Sequence, residues 1–163
     1  MISAKVAQMI SEMPAEIAGD LNFSTDEYLN RYQKTREAMK KKKLDALLIC
    51  GSSDFFKSRN NALQYYAGPN IDVGMGPNYV LIPAKGREAL FTQLGPQLSA
   101  FLSTYPRIPI EPVVPPNRKG TINVPDYPAA LVSYLKNAGL KNGKLGISSL
   151  DVCPADIYLA LQK

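Results

Sequence analysis

Residues 24–51 read STDEYLNRYQKTREAMKKKKLDALLICG, a charged amphipathic helix running straight into a short apolar strand. Ser24 followed three positions later by Glu27 fits a capping box, in which a hydroxyl and a carboxylate each satisfy a free backbone N–H at the helix start. Tyr28, Tyr32, Thr35 and Met39 recur at helical spacing and predict a core-facing stripe. Glu27 and Arg31, four apart, are expected to pair on the outer face. Lys40, Lys41, Lys42 and Lys43 put positive charge in the last turn, where the helix dipole favours it. Four consecutive lysines also suit an anion site, but a solvated helix end is the simpler reading. Beyond Asp45, the run Ala46-Leu47-Leu48-Ile49-Cys50 ends at Gly51 and two serines. A continuous apolar run bounded by turn residues predicts a strand buried on both faces, as in α/β proteins.

Working outward, residues 1–22 carry Val6, Met9, Ile10 and Met13 at helical spacing ahead of Pro14, which predicts a helical N-terminal packing arm. Downstream of the strand, residues 54–61 form an irregular loop with Phe55, Phe56 and Arg59. Residues 62–67 then predict a short helix capped by Gly68, with Pro69 beyond it. Gly74 and Gly76 suggest a phosphate loop, but no helix start follows them and a third glycine is lacking. Residues 79–82 and 88–92 predict two strands of an antiparallel hairpin turning at residues 83–87. Gly95-Pro96 opens a helix carrying Leu98, Phe101, Leu102 and Tyr105, closed by Pro106. Residues 108–114, broken by Pro109 and Pro112, suit an edge strand, where a missing N–H donor is tolerated.

Asp126 is a candidate cap for a helix whose stripe is Tyr127, Leu131, Tyr134, Leu135 and Ala138, ending at Gly139. Residues 144–147 predict a last strand. Pro154 opens a final helix with Ile157, Tyr158 and Leu161 ready to pack. With barely two turns and no stop signal, that helix is marginal alone, and the expectation is that the chain continues beyond it.

The 163 residues suit one domain, and 45% hydrophobic content is enough for a sizeable core. The formal charge of +5 permits acidic partners, yet the basic residues are scattered and carry no nucleic-acid-binding signature. Neither a leader-like segment nor a membrane span is evident, so no membrane partner and a cytoplasmic location are expected. Cys50 and Cys153 read as buried thiols rather than a disulfide framework. The chain contains no histidine. That removes histidine-based nucleophile relays, histidine general bases and histidine metal ligands from these residues.

The order and spacing of Glu27-Tyr28-x-x-Arg31, Arg36-Glu37-Ala38-Met39, Leu44-Asp45-Ala46-Leu47-Leu48-Ile49, Leu63-Gln64-Tyr65-Tyr66-Ala67-Gly68 and Val80-Leu81-Ile82-Pro83-Ala84-Lys85-Gly86 resemble the N-terminal domain of the creatinase, prolidase and aminopeptidase P family. The resemblance runs from about residue 26 to residue 94, with residues 144–147 suiting a later strand. Ala62 and Ala67 stand where the family usually has asparagine and threonine, and the loop after the first strand is longer than usual. The resemblance implies an α/β fold, a mixed β-sheet flanked by helices on both faces, spanning residues 23–163 after an arm of residues 1–22. It also implies a separate pita-bread catalytic domain that this chain does not include.

In family peptidases that later domain holds two divalent metal ions, of the manganese, cobalt or zinc type, which activate water against a peptide bond preceding proline. No catalytic or metal residue carries over to this chain, and no cofactor is expected within it. The implied partners are its own C-terminal catalytic domain and further copies in a homo-oligomer, with the N-terminal domain serving assembly and substrate access. Alternatives are a creatinase-like enzyme acting on a small osmolyte and a stand-alone protein-binding module. Arg59 is the candidate substrate contact, through a bidentate pair with a carboxylate. Phe55 and Phe56 are candidate interface residues, packing either on this domain or on a missing domain or subunit. Tyr65 and Tyr66 read as core. Asp54 and Asp72 lie apart with no third ligand at metal spacing.

Overall fold

A computed structural model of the chain describes residues 23–51, 61–68, 77–93, 108–148 and 150–162. The helix expected over residues 95–105 lies outside them, as does the N-terminal arm.

Helix α1 (Thr25–Lys41) starts at Ser24, whose hydroxyl accepts the Glu27 N–H at 3.2 Å. Only half of the expected capping box forms, because the Glu27 carboxylate turns instead to the Arg31 guanidinium at 2.8 Å. The helix ends in a Schellman motif. Lys43 takes a left-handed φ of 54°, its N–H bonds the Lys40 carbonyl, and the Leu44 N–H reaches back to Met39. Leu44 and Met39 pack in the same core, and Lys40 to Lys43 are exposed.

Strand β1 (Ala46–Cys50) lies inside a sheet of five strands ordered β4-β3-β2-β1-β5. It pairs antiparallel with β2 (Tyr79–Pro83) and parallel with β5 (Leu145–Ser148). β2 forms the expected hairpin with β3 (Ala89–Phe91), turning through Gly86 at φ 104°. β3 pairs parallel with β4 (Glu111–Val113), which sits at the sheet edge as its Pro112 requires.

Side chains of β1 and β2 alternate between two cores, as strand geometry dictates. Leu47, Ile49, Val80 and Ile82 join α1 and α2 (Asn61–Ala67) on one face. Ala46, Leu48, Tyr79 and Leu81 meet α3 (Tyr127–Asn137) and α4 (Ala155–Leu161) on the other. The result is a mixed sheet with helices on both faces.

α3 is capped by Asp126, whose carboxylate accepts the Ala129 N–H, and it closes at Gly139 with φ 74°. Its stripe is one turn shorter than expected. Tyr127, Ala130 and Leu131 are buried, whereas Ala138 is exposed because it is already the C-cap. In α4 Ile157 is buried and Leu161 packs against the core, but Tyr158 faces solvent.

Candidate functional site

The register sets one end of the sheet apart. β1, β3, β4 and β5 all run in one direction and β2 runs against them. The carboxyl ends of four strands therefore share one edge with the start of β2, and residues 52–60 leave from that edge. In open α/β sheets this is where ligands bind. Phe55, Phe56 and Arg59 themselves lie outside the described residues. The elements that hold the two ends of their loop are described.

At the strand end the Gly51 N–H donates to the Asn78 carbonyl at 2.9 Å, and Cys50 sits opposite Tyr79. Asn78 and Thr92 are buried polar side chains on this edge. The Thr92 Oγ1 has no partner among the described residues. Tyr79 packs edge-on against Tyr127 with ring centroids 5.0 Å apart. Cys50 and Cys153 are both free thiols, Cys50 buried and Cys153 half-buried. Burial, with Cys153 as a second influence, pushes the Cys50 thiol well above its usual range. A thiol held neutral in this way is inert. Burial raises the Tyr79 and Tyr127 hydroxyls too, so these groups stay uncharged at neutral pH.

At the other end of the loop, α2 is pinned to α1 by its own backbone. Arg31 Nη1 donates to the Tyr65 carbonyl at 2.7 Å and the Tyr32 hydroxyl donates to the Tyr66 carbonyl at 2.8 Å. Arg31 is only 4% exposed, which corrects its expected place on the outer face. The Glu27 pair does form, but the guanidinium is turned inward, with the Phe23 ring 3.8 Å and the Tyr65 ring 4.3 Å from its central carbon. Desolvating an arginine in this way is tolerated because its planar face is covered by π-systems while its edge keeps hydrogen-bond partners.

Tyr65 itself is 45% exposed rather than core. Its ring serves as a lid on Arg31, whereas Tyr66 stacks on Tyr32 and shares a 2.7 Å hydrogen bond with Thr35. The sequence signal for this clamp was the match of two adjacent pairs, Arg31-Tyr32 and Tyr65-Tyr66, each supplying one member of each contact.

Arg36 ties the same helix to the hairpin. It donates to the Pro83 and Gly86 carbonyls and lies 2.5 Å from a Glu88 carboxylate oxygen. At the opposite end of the strands, a cavity of about 160 Å³ opens beside Asp45, Leu135 and Leu145. Among the described residues no group of three or more His, Cys, Asp or Glu side chains is placed to hold a metal ion. No described helix is long and apolar enough to cross a membrane.

Residues 31–163 match the family model of the creatinase/prolidase N-terminal domain. A search of curated proteins finds no significant match. Among solved structures, the fold is similar to the N-terminal creatinase/prolidase-like domain of a protein from Corynebacterium diphtheriae assigned as a metallopeptidase. That likeness has 16% identity and a TM-score of 0.53, and covers 83% of this chain and 86% of that one. It is also similar to an Xaa-Pro dipeptidase from Bacillus anthracis, at 18% identity and TM-score 0.54 over 83% of this chain and 30% of that one. The dipeptidase PepE from Mycobacterium ulcerans matches at 18% identity and TM-score 0.56, over 86% of this chain and 34% of that one. The chain thus spans about a third of the length of these two dipeptidases. Its sequence match and its mixed sheet agree: the chain belongs to the creatinase/prolidase N-terminal domain family.

Proposed function

We propose that this chain is the non-catalytic N-terminal domain of a metal-dependent, Xaa-Pro-cleaving peptidase, where it serves oligomer assembly and controls substrate access in the cytoplasm. The observation that carries the reading is the family match over residues 31–163 in a chain that has no histidine. The family relation points to a hydrolytic parent, and the residue content points to chemistry done elsewhere. The two divalent metals belong to the C-terminal catalytic domain in this reading, and this domain's residues hold no metal.

The loop of residues 52–60 is the contributing part. Arg59 pairs with a substrate carboxylate, and Phe55 with Phe56 packs against the catalytic domain or a second subunit. The clamp of Arg31 and Tyr32 on α2 and the Gly51 to Asn78 bond hold the two ends of that loop. Loops positioned by a rigid scaffold are where binding residues concentrate.

The test uses the full-length protein with manganese, cobalt or zinc and an Xaa-Pro dipeptide. Cleavage is expected from the whole protein and none from residues 1–163 alone. Arg59→Ala should raise KM roughly tenfold or more while leaving kcat little changed, the loss expected for a hydrogen bond to a charged group. Cleavage by residues 1–163 alone, or an unchanged KM in Arg59→Ala, refutes the corresponding assignment. Turnover of a guanidino or other osmolyte substrate with no action on Xaa-Pro peptides replaces the peptidase reading.

A further inference from the structure

Both cysteines of the chain come to one place. Cys50 is the last residue of β1, and its side chain joins Tyr79, Tyr127 and Ile157 in the core on the α3 and α4 face. Cys153 follows the 3-10 turn Leu150–Val152, just ahead of α4, and packs against the same cluster. About a hundred residues separate the two in sequence, so the fold is what makes them neighbours. The Cys50 thiol shares a side-chain hydrogen bond with Cys153. The Cys153 Sγ donates in turn to the Pro154 carbonyl at 3.8 Å, which leaves Cys50 as the donor between the two sulfurs.

Their surroundings divide the work. Cys50 is 1% exposed, whereas Cys153 is only half-buried. An oxidant arriving from solvent therefore meets Cys153 first, and Cys50 has the Cys153 sulfur as its neighbour. Sulfurs already in hydrogen-bond contact need side-chain rotation and a small backbone shift to reach the bonding distance of about 2.05 Å. That shift falls on Cys153. Its N–H closes a turn onto the Leu150 carbonyl, while Cys50 is fixed in the ladder opposite Tyr79.

We propose that Cys50 and Cys153 are a reversible modification site, which hydrogen peroxide converts to a disulfide tying the end of β1 to the start of α4. The Cys153 sulfur attacks a peroxide oxygen and the O–O bond breaks, giving Cys153 sulfenic acid and one water. The Cys50 sulfur then attacks the Cys153 sulfur and the S–O bond breaks. The departing hydroxide takes up the Cys50 proton and leaves as a second water. The two thiols supply the two electrons that reduce the peroxide. Burial of the Cys50 thiol slows the second step, but the acceptor for its proton is released beside it. A dithiol reductant returns both thiols, so the bond is a transient one rather than part of a disulfide framework.

The experiment treats the full-length protein with hydrogen peroxide, blocks the remaining thiols with iodoacetamide, and maps the peptides by mass spectrometry without reduction. The expected product is a peptide pair joined through Cys50 and Cys153 that disappears on treatment with dithiothreitol. Recovery of both cysteines as alkylated thiols overturns the proposal, as does Cys153 recovered as sulfinic acid beside an alkylated Cys50. The same treatment in denaturing urea should give roughly tenfold less of the joined pair, since an unfolded chain seldom closes so long a loop. Equal yields overturn the placement of the two thiols by the fold. Cys50→Ala should raise dimedone labelling of Cys153 several-fold over the parent, because the thiol that consumes the sulfenic acid is gone. Unchanged labelling overturns the order of the steps. If that variant fails to fold, the peptide map of the parent protein still decides whether the bond forms.

Discussion

The two faces of the sheet are held in different ways. On the α1 face, Arg31, Tyr32 and Arg36 reach across to the carbonyls of Tyr65, Tyr66, Pro83 and Gly86. On the opposite face, α3 and α4 lay Tyr127, Ala130, Leu131 and Ile157 against Leu48, Leu81 and Phe91. One described side-chain tie there reaches the hairpin, from the Tyr134 hydroxyl to the Arg87 carbonyl at 3.1 Å. Apolar packing is non-directional and supplies cohesion, whereas hydrogen bonds to named carbonyls fix where an element sits. The polar face is the one that carries α2 and the hairpin turn, and α2 is where the loop of residues 52–60 re-enters the fold. Precision has been placed where a loop must be positioned, and bulk cohesion on the other side.

The largest expected effect is on the apolar face. Leu131 is fully buried between α3 and the sheet, so Leu131→Ala should cost about 2 to 5 kcal/mol, through lost burial and the cavity left behind. Urea unfolding monitored by circular dichroism measures it. A loss smaller than that of Tyr32→Phe on the polar face would break the contrast between the faces.

Tyr32→Phe keeps the ring stacked near Tyr66 and removes only the hydroxyl that the Tyr66 carbonyl accepts from. The expected cost is about 1 to 3 kcal/mol, because a carbonyl at a packed interface loses its donor. The local consequence should exceed the global one, with faster amide exchange in residues 61–67 than in α3. Uniform exchange across both helices would show that the clamp does not position α2. Burial also raises the Tyr32 hydroxyl far above its ordinary value of 10.0. The unfolded chain therefore loses that proton first, and stability falls as pH rises past about 10. Tyr32→Phe should lose less stability over that alkaline range than the parent chain.

How far the residues announced this arrangement depends on whether the signal was local. β1 and β2 were legible because a five-residue apolar run bounded by turn residues has few other places to go than the middle of a sheet. Pro112 marked β4 as an edge, and Gly139 marked the end of α3. The end of α1 was blurred because Lys43, not a glycine, takes the left-handed position. The signal that existed there was Leu44, an apolar residue returning to pack on Met39. Arg31 was misplaced for a longer-range reason. Its spacing to Glu27 describes an exposed ion pair, and only α2, remote in sequence, supplies the Tyr65 carbonyl and ring that draw it inward. Phe55, Phe56 and Arg59 carry only the signals of residue type and loop position, and they lie outside the described residues.

The smallest effect is the one that separates the faces most sharply. Arg31 holds the Glu27 carboxyl below its ordinary value of 4.5, so as pH falls the unfolded chain takes up the proton first. The stabilisation is complete above the ordinary carboxylate range and disappears as pH drops through the lower, folded-state value. Glu27→Gln should therefore weaken the chain slightly at pH 7 and progressively less as pH falls towards about 3, and added salt should shrink the difference at pH 7. Urea midpoints of the two proteins at both pH values check this. A difference undiminished at about pH 3 would assign the effect to helix-start geometry rather than charge. The cost of Leu131→Ala, by contrast, should stay the same between the two pH values, since burial keeps Cys50, Tyr79, Tyr127 and Tyr134 in that packing uncharged at both; parallel acid dependence in the two variants would show that the faces are coupled rather than distinct.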